Sequence, residues 1–475
     1  MAHASKFLIT GNNTGLWNVE QSEEAAEKVT ELLQLDLKNH HVFLNDDGFH
    51  NHVSTPEQTL INIPRQTMLT RRKLPQHLLA LYGTGASVAN IQKAYDHRHP
   101  LTRPSKPRHC NVLFELERDW NNARNYLGKD EYYPDFLSYF QRTVDARGYE
   151  WTVNEFLLKQ DAAADDLLVR LHAGALHPLT QLTYALEWQQ PAMVAEAMAQ
   201  TCVHGIEGLD RILLEAERSR PCLSLDGSSP PFLAFFDRCR ADAQLSSCAR
   251  LDDGDEIADG VLARAKEPML ALLGRIRVTP EQLEEKTAEM FHAIVSGAAI
   301  RPPHHVEYDY FLMHHINAGP FDPTVNRQPW IPDAAKARLL EWKMRMDVVQ
   351  YVARGCPSFS LDGILRYEAE IRLEGSPRDM SKVLHDFGDD GHAIEQARAT
   401  ALCHELTRSY EDRPWAVLRG DETWRTVQHM VVDAVQGPGR LYVRGAGMEE
   451  VWKGVPLQSE PELGDEFLRA SMFGQ

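Results

Sequence analysis

The sequence predicts an all-α fold: one large helical domain with a pocket between helices and, at most, minor β structure. Apolar residues recur at helical spacing in most segments, whereas runs that alternate apolar and polar residues are few. The candidate strands are WAVLRG near Val417 and GRLYVRGAG near Leu441. A strand–helix–strand rhythm is absent, and neither GxGxxG nor GxxxxGK[ST] occurs, so a nucleotide-binding α/β fold is disfavoured.

Capping residues and apolar periodicity predict a series of helices along the chain. SEEAAEKVTELLQLDLKNH has a serine cap, early acidic residues and an apolar set at helical spacing. Two helices flank the glycine-bearing turn of HLLALYGTGASVANIQKAYDHR, and Pro178 takes a favoured first helical position in HPLTQLTYALEWQQ. Further helices are predicted in YYPDFLSYFQRTVDARG, WTVNEFLLKQDAAADDLLVRLHAG, PAMVAEAMAQTCVHGI, TPEQLEEKTAEMFHAIVSGAA, HHVEYDYFLMHHINAG, DAAKARLLEWKMRMDVVQYVARG and GHAIEQARATALCHELTRSYE.

A stretch rich in Pro, Ser, Asp and Gly interrupts the helical series at residues 218–260. We therefore expect either one undivided helical domain over residues 1–475 or two halves, 1–217 and 261–475, joined by an irregular segment. Repeats, heptad arrays and low-complexity tracts are absent.

Charge and cysteine usage exclude several classes of protein. The formal net charge of −18 argues against nucleic acid and anionic membranes as partners. No apolar run approaches the roughly 18 residues of a membrane span, and the N-terminal residues do not have the pattern of a signal peptide. The seven cysteines are scattered and form no CxxC pair. We therefore expect a reducing, cytoplasmic location without a disulfide framework.

The stretch DFGDDGHAIEQARATALCHEL raises the question of a metal site. His392 and Glu395 lie three residues apart on a predicted helix and so share a face. With 21 His and 68 acidic residues in 475, chance gives about three such pairs, and the chain has three. Spacing alone therefore does not separate half of a metal site from a solvated or capping pair.

Several histidines have apolar helical surroundings. His314 shares a helix face with Tyr310 and Phe311, and His177 opens its helix one turn before Gln181. A core histidine satisfied by hydrogen bonds is the alternative for each one alone. Helix bundles nevertheless build metal sites from inward side chains on facing helices, and imidazole with carboxylate suits iron, manganese or zinc.

Five stretches together resemble the fungal questin oxidase-like family, in collinear order over most of the chain: NDDGFHNHV, HLLALYGTGAS, LHAGALHPLTQLTYALEW, DYFLMHHIN and DDGHAIEQARA. The resemblance implies oxidative opening or expansion of a ring in anthraquinone-type polyketides, with a Baeyer–Villiger-like outcome. It also implies a non-haem iron centre, as Fe²⁺, held mainly by histidines. Carried over by position, the ligands are His52, His177, His314 and His392.

The sequence departs from the family pattern at two ligand positions. The family commonly reads HP-x-x-H, where this chain has Gln181 in place of the second histidine. Gln181 is either a weak neutral ligand or part of the pocket lining. The family commonly has a lysine three residues after the DGH histidine, where this chain has Glu395. A lysine supplies oxygen ligands only as a carbamate, whereas glutamate supplies a carboxylate directly, which supports Glu395 as a ligand.

A third departure is an apparent insertion. In the family, the HNH stretch runs within a few residues into the helix that corresponds to HLLALY, but here STPEQTLINIPRQTMLTRRKLPQ intervenes. Residues 55–76 of this stretch are basic, aperiodic and broken by prolines. We expect this segment to be exposed and irregular, as either a lid or the product of a retained intron.

The leading interpretation of function is an oxygenase that acts with dioxygen on an aromatic polyketide. His314, His392 and Glu395 would serve catalysis, while Tyr310 and Phe311, with Trp188 and Trp342, would wall a pocket for planar rings. The resemblance suggests that NADPH is consumed through a partner. The alternatives are a non-redox lyase or cyclase that uses His and Glu as acid and base, and a non-catalytic pathway member.

Overall fold

The computed structural model describes residues 3–40, 74–98, 106–206, 208–219, 230–297, 304–435 and 442–457. Within these ranges the chain forms 21 α-helices, which confirms the predicted all-α fold. Strand pairing in the same ranges is limited to isolated bridges. None of the described helices combines the length and the apolar character that a bilayer crossing requires.

The α-helices are numbered here in chain order. Those up to residue 218 are α1 (Glu23–Asn39), α2 (Leu74–Gly83), α3 (Val88–Arg98), α4 (Val112–Arg118), α5 (Tyr133–Arg147), α6 (Tyr149–Val153), α7 (Ala162–Leu171), α8 (His177–Glu187), α9 (Pro191–Val203) and α10 (Leu209–Arg218). Those that follow are α11 (Leu233–Ala241), α12 (Ala263–Leu273), α13 (Leu283–Ser296), α14 (Tyr310–Asn317), α15 (Phe321–Asn326), α16 (Asp333–Ala353), α17 (Leu361–Leu365), α18 (Pro377–Ser381), α19 (His392–Thr407), α20 (Gly420–Val435) and α21 (Glu449–Trp452).

Short 3₁₀ and π segments connect or extend several of these helices. The 3₁₀ turns are Trp120–Asn125, Asp130–Tyr132, Gly174–Leu176, Pro280–Gln282, Lys382–Asp386 and Arg408–Tyr410. The π segments are Asn154–Leu158 and Glu256–Leu262.

Helix α1 illustrates how the sequence starts a helix. The Ser22 side chain accepts a hydrogen bond from the backbone amide of Ala25, and two glutamates occupy the first turn. The positive end of the helix dipole interacts favourably with acidic side chains in the first turn, which stabilises the start of the helix. The apolar stripe that includes Val29, Leu32 and Leu33 is buried against the rest of the core.

Helices α14, α16 and α19 lie almost entirely inside the protein, as do α2 and α9. Helix α19 has alanines at positions 393, 397 and 401, which let neighbouring helices approach closely, and it packs against α2, α13, α14 and α20. A helix buried on all sides must find partners for its polar side chains inside the core. The polar residues of α14 and α19 are therefore candidates for a functional site.

Two sequence predictions are wrong in part. The segment 218–260, predicted to be irregular, contains α11, whose Phe235, Phe236 and Cys239 face the core. The segment 55–76, predicted to be exposed, ends in Leu74, Pro75 and Gln76, which are buried in the first turn of α2. Apolar burial overrides local composition at both places. Residues 55–73 lie outside the described residues, and the division into two halves stays a prediction.

The C-terminal segment 442–447 packs on the start of α14. Val443 forms a parallel bridge with Asp309, and the amide of Tyr310 donates to the Val443 carbonyl at 2.8 Å. Gly447 lies against Gly355, where an added Cβ would stand 1.9 Å from the Gly355 carbonyl oxygen. The predicted strand in GRLYVRGAG is therefore wrong for its described part, because Asp309 is followed at once by a helix and the pairing stops.

The other predicted strand, WAVLRG, is also wrong. Its backbone bonds to a side chain and not to a neighbouring strand: the amides of Val417 and Leu418 donate to Nε2 of His292, at 2.9 and 3.2 Å. The next residues enter α20. The β-branched and aromatic residues of this stretch serve as a buried connection between helices.

Candidate metal centre

Three histidine rings from three separate helices meet inside the protein. His177 begins α8, His314 lies in α14 and His392 begins α19. One ring nitrogen of each lies within 4.8 Å of the other two. Among the described residues, no other group of three or more His, Cys, Asp or Glu side chains comes together at metal-ligand spacing. His52, the fourth predicted ligand, lies outside the described residues.

A strained turn places His177 at the start of α8. Ala175 and Leu176 both have positive φ, at 55° and 62°, and Pro178 follows at a favoured position in the first helical turn. A left-handed conformation costs a non-glycine residue about 1–2 kcal/mol, so packing must hold the turn in place. Leu176 supplies that packing because it is fully buried. The His177 ring centre then lies 5.0 Å from that of His314.

His314 is fixed from its own helix. Its Nδ1 lies 2.6 Å from the carbonyl oxygen of Tyr310, one turn earlier. The carbonyl can only accept, so Nδ1 carries the proton and Nε2 presents a lone pair. The Nε2 atom lies 3.0 Å from Nε2 of His392.

Gly391 allows His392 to begin α19. Its φ of 96° is a glycine conformation, and a Cβ at this position would lie 2.7 Å from Cβ of His77. The Nδ1 of His392 bonds to a carboxylate oxygen of Asp390. Burial raises the pKa of the neighbouring Asp389 to about 6, and the Asp390 charge acts in the same direction. A carboxylate on the far nitrogen of an imidazole orients the ring and makes it a better metal ligand.

Glu395 is buried on the same helix face as His392. The side-chain amide of Asn317, on α14, donates to its Oε2 at 3.3 Å. Its carboxylate oxygens are not part of the group formed by the three described imidazoles. The Glu395 side chain is hydrogen-bonded to α14, one helical turn after His392, and its assignment as a ligand stays a prediction.

Gln181 lies one turn after His177 and is fully buried. Its side-chain amide donates to Oε2 of Glu196, on α9, at 3.2 Å. The amide oxygen of Gln181 has no hydrogen-bond partner among the described residues. An unpaired buried acceptor is costly, so this oxygen is available to a ligand or to water.

The predicted aromatic walls divide into two groups. The Tyr310 ring centre lies 4.6 Å from His314 and 5.9 Å from His392, and Phe311 packs edge-on against Tyr310. Trp188 and Trp342 have other neighbours. Trp188 packs edge-on against Tyr82, and Trp342 packs against His172 with Arg338 over its ring.

The side chain next to His314 belongs to a second buried polar cluster. His315 Nδ1 lies 2.6 Å from Oδ1 of Asp347, and the ammonium of Lys343 bonds to the same oxygen. Burial raises the pKa of the nearby Asp322 to about 7 and lowers that of His172 to about 4. This cluster lies between α14, α15 and α16 and holds the helix that carries His314.

Two carboxylates and a phenol beside the histidines were not predicted from the sequence. Asp389 and Asp390 directly precede the DGH glycine, and an acidic pair before a candidate histidine was the signal that could have found them. Tyr442 lies far along the chain, and its ring centre is 6.3 Å from that of His392. Burial and the charges of nearby carboxylates raise its pKa well above the usual range.

Comparison with known proteins now identifies the family, because the profile of the questin oxidase-like family matches residues 73–400. The chain belongs to the questin oxidase-like family. It is 32% identical to oxidoreductase AflY of Aspergillus parasiticus, over 89% of this chain and 81% of the relative. It is 28% identical to Baeyer–Villiger oxidase ptaJ of Pestalotiopsis fici, over 95% and 98%, and 28% identical to questin oxidase of Aspergillus terreus, over 97% and 100%.

These relatives confirm the resemblance and the predicted class of enzyme, an oxygenase. The region matched to the questin oxidase-like family contains the three histidines that meet in the core. Tyr442 and the segment that packs on Asp309 lie beyond it. The site therefore joins residues inside the profile match with residues that follow it in the chain.

Proposed function

We propose that this questin oxidase-like protein is a metal-dependent oxygenase that inserts oxygen beside a ring carbonyl of an anthraquinone-type polyketide. The metal is non-haem iron, as Fe²⁺. Its protein ligands are His177, His314 and His392, together with His52 and a carboxylate oxygen of Glu395. The names of the relatives, questin oxidase and Baeyer–Villiger oxidase, support the substrate class and the outcome.

The main support for this proposal is that three imidazole rings from separate helices meet in the core. Two of them, His314 and His392, have Nδ1 on an oxygen acceptor and direct Nε2 at each other. Metal-binding histidines share this arrangement, in which the second nitrogen is held by a carbonyl or a carboxylate. The donor set of imidazole with a neighbouring carboxylate fits iron. Iron would supply the binding and activation of dioxygen at this site.

The overall reaction balances with two electrons from a nicotinamide cofactor. A ring ketone, dioxygen, NADPH and a proton give the ring-expanded ester, NADP⁺ and water. One oxygen atom enters the bond between the carbonyl carbon and its ring neighbour, and the other leaves as water. The described residues contain no dinucleotide-binding motif, so we assign the NADPH step to a partner protein.

The protein's own residues orient the reactants. Tyr310 and Phe311 offer ring faces beside the histidines, which suits a planar aromatic substrate. Asp390 holds the His392 ring, and the Tyr310 carbonyl holds the His314 ring. His314 and His392 are both buried, and a low-dielectric environment strengthens each of these interactions.

Metal analysis of matched histidine variants tests the proposal. His392→Gln should lower iron and cobalt(II) content and oxygen consumption together. His404→Gln provides the control, since His404 is a buried histidine of the same helix that bonds to Asp421. The control should retain metal and turnover. Equal metal content in the two variants would refute the metal centre.

Glu395 needs a separate variant. Glu395→Gln keeps the side-chain volume and the acceptor for Asn317. A ligand role predicts lower metal occupancy with an unchanged fold, whereas full occupancy would remove Glu395 from the ligand set. Turnover of an anthraquinone under strict exclusion of dioxygen would instead favour the lyase or cyclase alternative, in which His and Glu act as acid and base.

A further inference from the structure

The side chain of Tyr442 lies beside the candidate site, and its hydroxyl group has no hydrogen-bond partner within the described ranges. The hydroxyl oxygen of Tyr442 is buried. Its ring packs edge-on against both Tyr310 and His392, with ring centres 6.1 and 6.3 Å away. A phenol whose hydroxyl oxygen is buried normally finds an acceptor, so this donor is available to a group that is not part of the described chain.

The position of Tyr442 is fixed by its backbone. Asp309 accepts hydrogen bonds from the amides of Gly445 and Ala446 through Oδ2, at 2.7 and 3.0 Å. Its Oδ1 accepts from the first amides of α14, including Phe311 at 2.9 Å. One buried carboxylate thus ties the segment with Tyr442 to the helix with His314. A donor held in this way is preorganised, which lowers the cost of binding a ligand.

The surrounding charges restrict the kind of acceptor that Tyr442 can meet. The carboxyl groups of Asp389, Asp390, Glu307 and Glu395 all act electrostatically on its phenol, yet none of the four accepts a hydrogen bond from it. An anionic ligand oxygen would be repelled by these groups. A neutral carbonyl oxygen would accept the hydrogen bond without that repulsion.

We propose that Tyr442 is a substrate-binding residue whose hydroxyl donates a hydrogen bond to a ring carbonyl oxygen of a quinone. The inference rests on the proposed function, because it assumes that the substrate reaches the three histidines. It assigns carbonyl selectivity to a residue outside the region that matches the family profile. The same hydrogen bond draws electron density towards the carbonyl oxygen and makes the carbonyl carbon more electrophilic.

Binding of two probes that differ in their carbonyl groups tests this assignment. The probes are 1,8-dihydroxyanthraquinone and 1,8-dihydroxyanthracene, which share the ring outline and both phenols. Affinities are measured by quenching of tryptophan fluorescence for the wild-type protein and Tyr442→Phe. The variant should bind the quinone about three- to tenfold more weakly and the carbonyl-free probe equally well, as expected for one lost hydrogen bond.

Tyr351→Phe is the matched control. It removes a buried phenolic hydroxyl that donates to the Pro357 carbonyl and stacks on Phe236. The control should leave both affinities unchanged, and circular dichroism should show the same helix content in all three proteins. With turnover conditions in hand, Tyr442→Phe should also raise KM for the quinone.

The outcomes separate the inference from the function on which it rests. A Tyr442→Phe protein that binds the quinone as tightly as wild type, or loses both probes equally, overturns the role of Tyr442 alone. A wild-type protein that binds neither probe overturns the proposed substrate class and the inference with it. Selective loss of the quinone, with the control unaffected, supports the assignment.

Discussion

The Nε2 atoms of His314 and His392 lie 3.0 Å apart, although the two residues are 78 positions apart in the chain. Each ring holds its other nitrogen on an oxygen acceptor, the Tyr310 carbonyl for His314 and the Asp390 carboxylate for His392. When both rings are neutral, two lone pairs therefore face each other at hydrogen-bond distance. Either a proton or a metal ion between them relieves the repulsion.

This arrangement predicts that a metal ion and protons compete for the Nε2 lone pairs of His314 and His392. Cobalt(II) should therefore bind metal-free protein more weakly as the pH is lowered, because a protonated nitrogen cannot bind the metal. Calorimetric titration at several pH values measures the affinity. An affinity that does not change with pH contradicts binding through these imidazoles. His404→Gln should leave the pH dependence unchanged.

Asp309 should contribute more to the free energy of unfolding than an ordinary helix-capping residue does. Asp309→Ala removes an acceptor shared by four backbone amides, two of α14 and two of the C-terminal segment. We expect a loss of about 2–4 kcal/mol in unfolding free energy, measured by urea denaturation. Hydrogen exchange should also become faster in residues 442–447.

Asp161→Ala is the control for this variant, because Asp161 caps α7 alone, through the amides of Ala163 and Ala164. Asp161→Ala should lower the free energy of unfolding by about 1 kcal/mol and leave hydrogen exchange in the C-terminal segment unchanged. Equal costs for the two variants would mean that the second pair of amides adds nothing.

The buried pair of Lys343 and Asp347 should be sensitive to the loss of one partner. Lys343→Met leaves the Asp347 carboxylate buried without its cation, and we expect a loss of about 3–5 kcal/mol in unfolding free energy. The double variant Lys343→Met/Asp347→Asn removes both charges and keeps an acceptor for His315. It should recover more than half of the loss in denaturation experiments, and a double variant as unstable as the single one contradicts the charge argument.

His292 should make the protein sensitive to acid. Burial lowers its pKa to about 3, and its Nε2 must stay unprotonated to accept the amides of Val417 and Leu418. The folded state therefore binds this proton less readily than the unfolded chain. The stability that this provides is full above about pH 6.5 and is lost as the pH falls towards 3.

Unfolding experiments at several pH values measure the effect. Between pH 6.5 and 4.5 the wild-type protein should lose about 2 kcal/mol more than His292→Gln, which keeps an acceptor but does not titrate in this range. His3→Gln, at an exposed position, should follow the wild-type curve. Parallel curves for wild type and His292→Gln would assign the acid sensitivity to other groups.

The fold and three of the site histidines could both be predicted from the sequence, but from different kinds of evidence. Helical periodicity and caps predicted the all-α fold directly. The histidine spacing was no better than chance, and the family resemblance singled out His177, His314 and His392. Tyr442 carried no such signal, because a contact between Asp309 and the backbone of residues 445 and 446 brings it to the site. Tertiary contacts of this kind leave no local pattern in a sequence.

The irregular regions were predicted less well for a related reason. Gly, Pro and charged residues predict loops from local preference, but α11 forms in such a region because Phe235, Phe236 and Cys239 can be buried. The positive φ of Leu176 had no sequence signal either, since leucine does not favour that conformation. Packing decides both cases.

Because Asp309 holds residues 445–446, the backbone that positions Tyr442 is separate from the helices that carry the three imidazoles. The imidazoles lie in α8, α14 and α19, whereas Tyr442 lies in the C-terminal segment 442–447, which hydrogen bonds from two of its amides to Asp309 hold in place. Codon randomisation confined to positions 442–444 would leave the anchor amides and every imidazole intact. Under the proposed role of Tyr442, a small library at these positions should change ligand preference without altering the candidate metal centre.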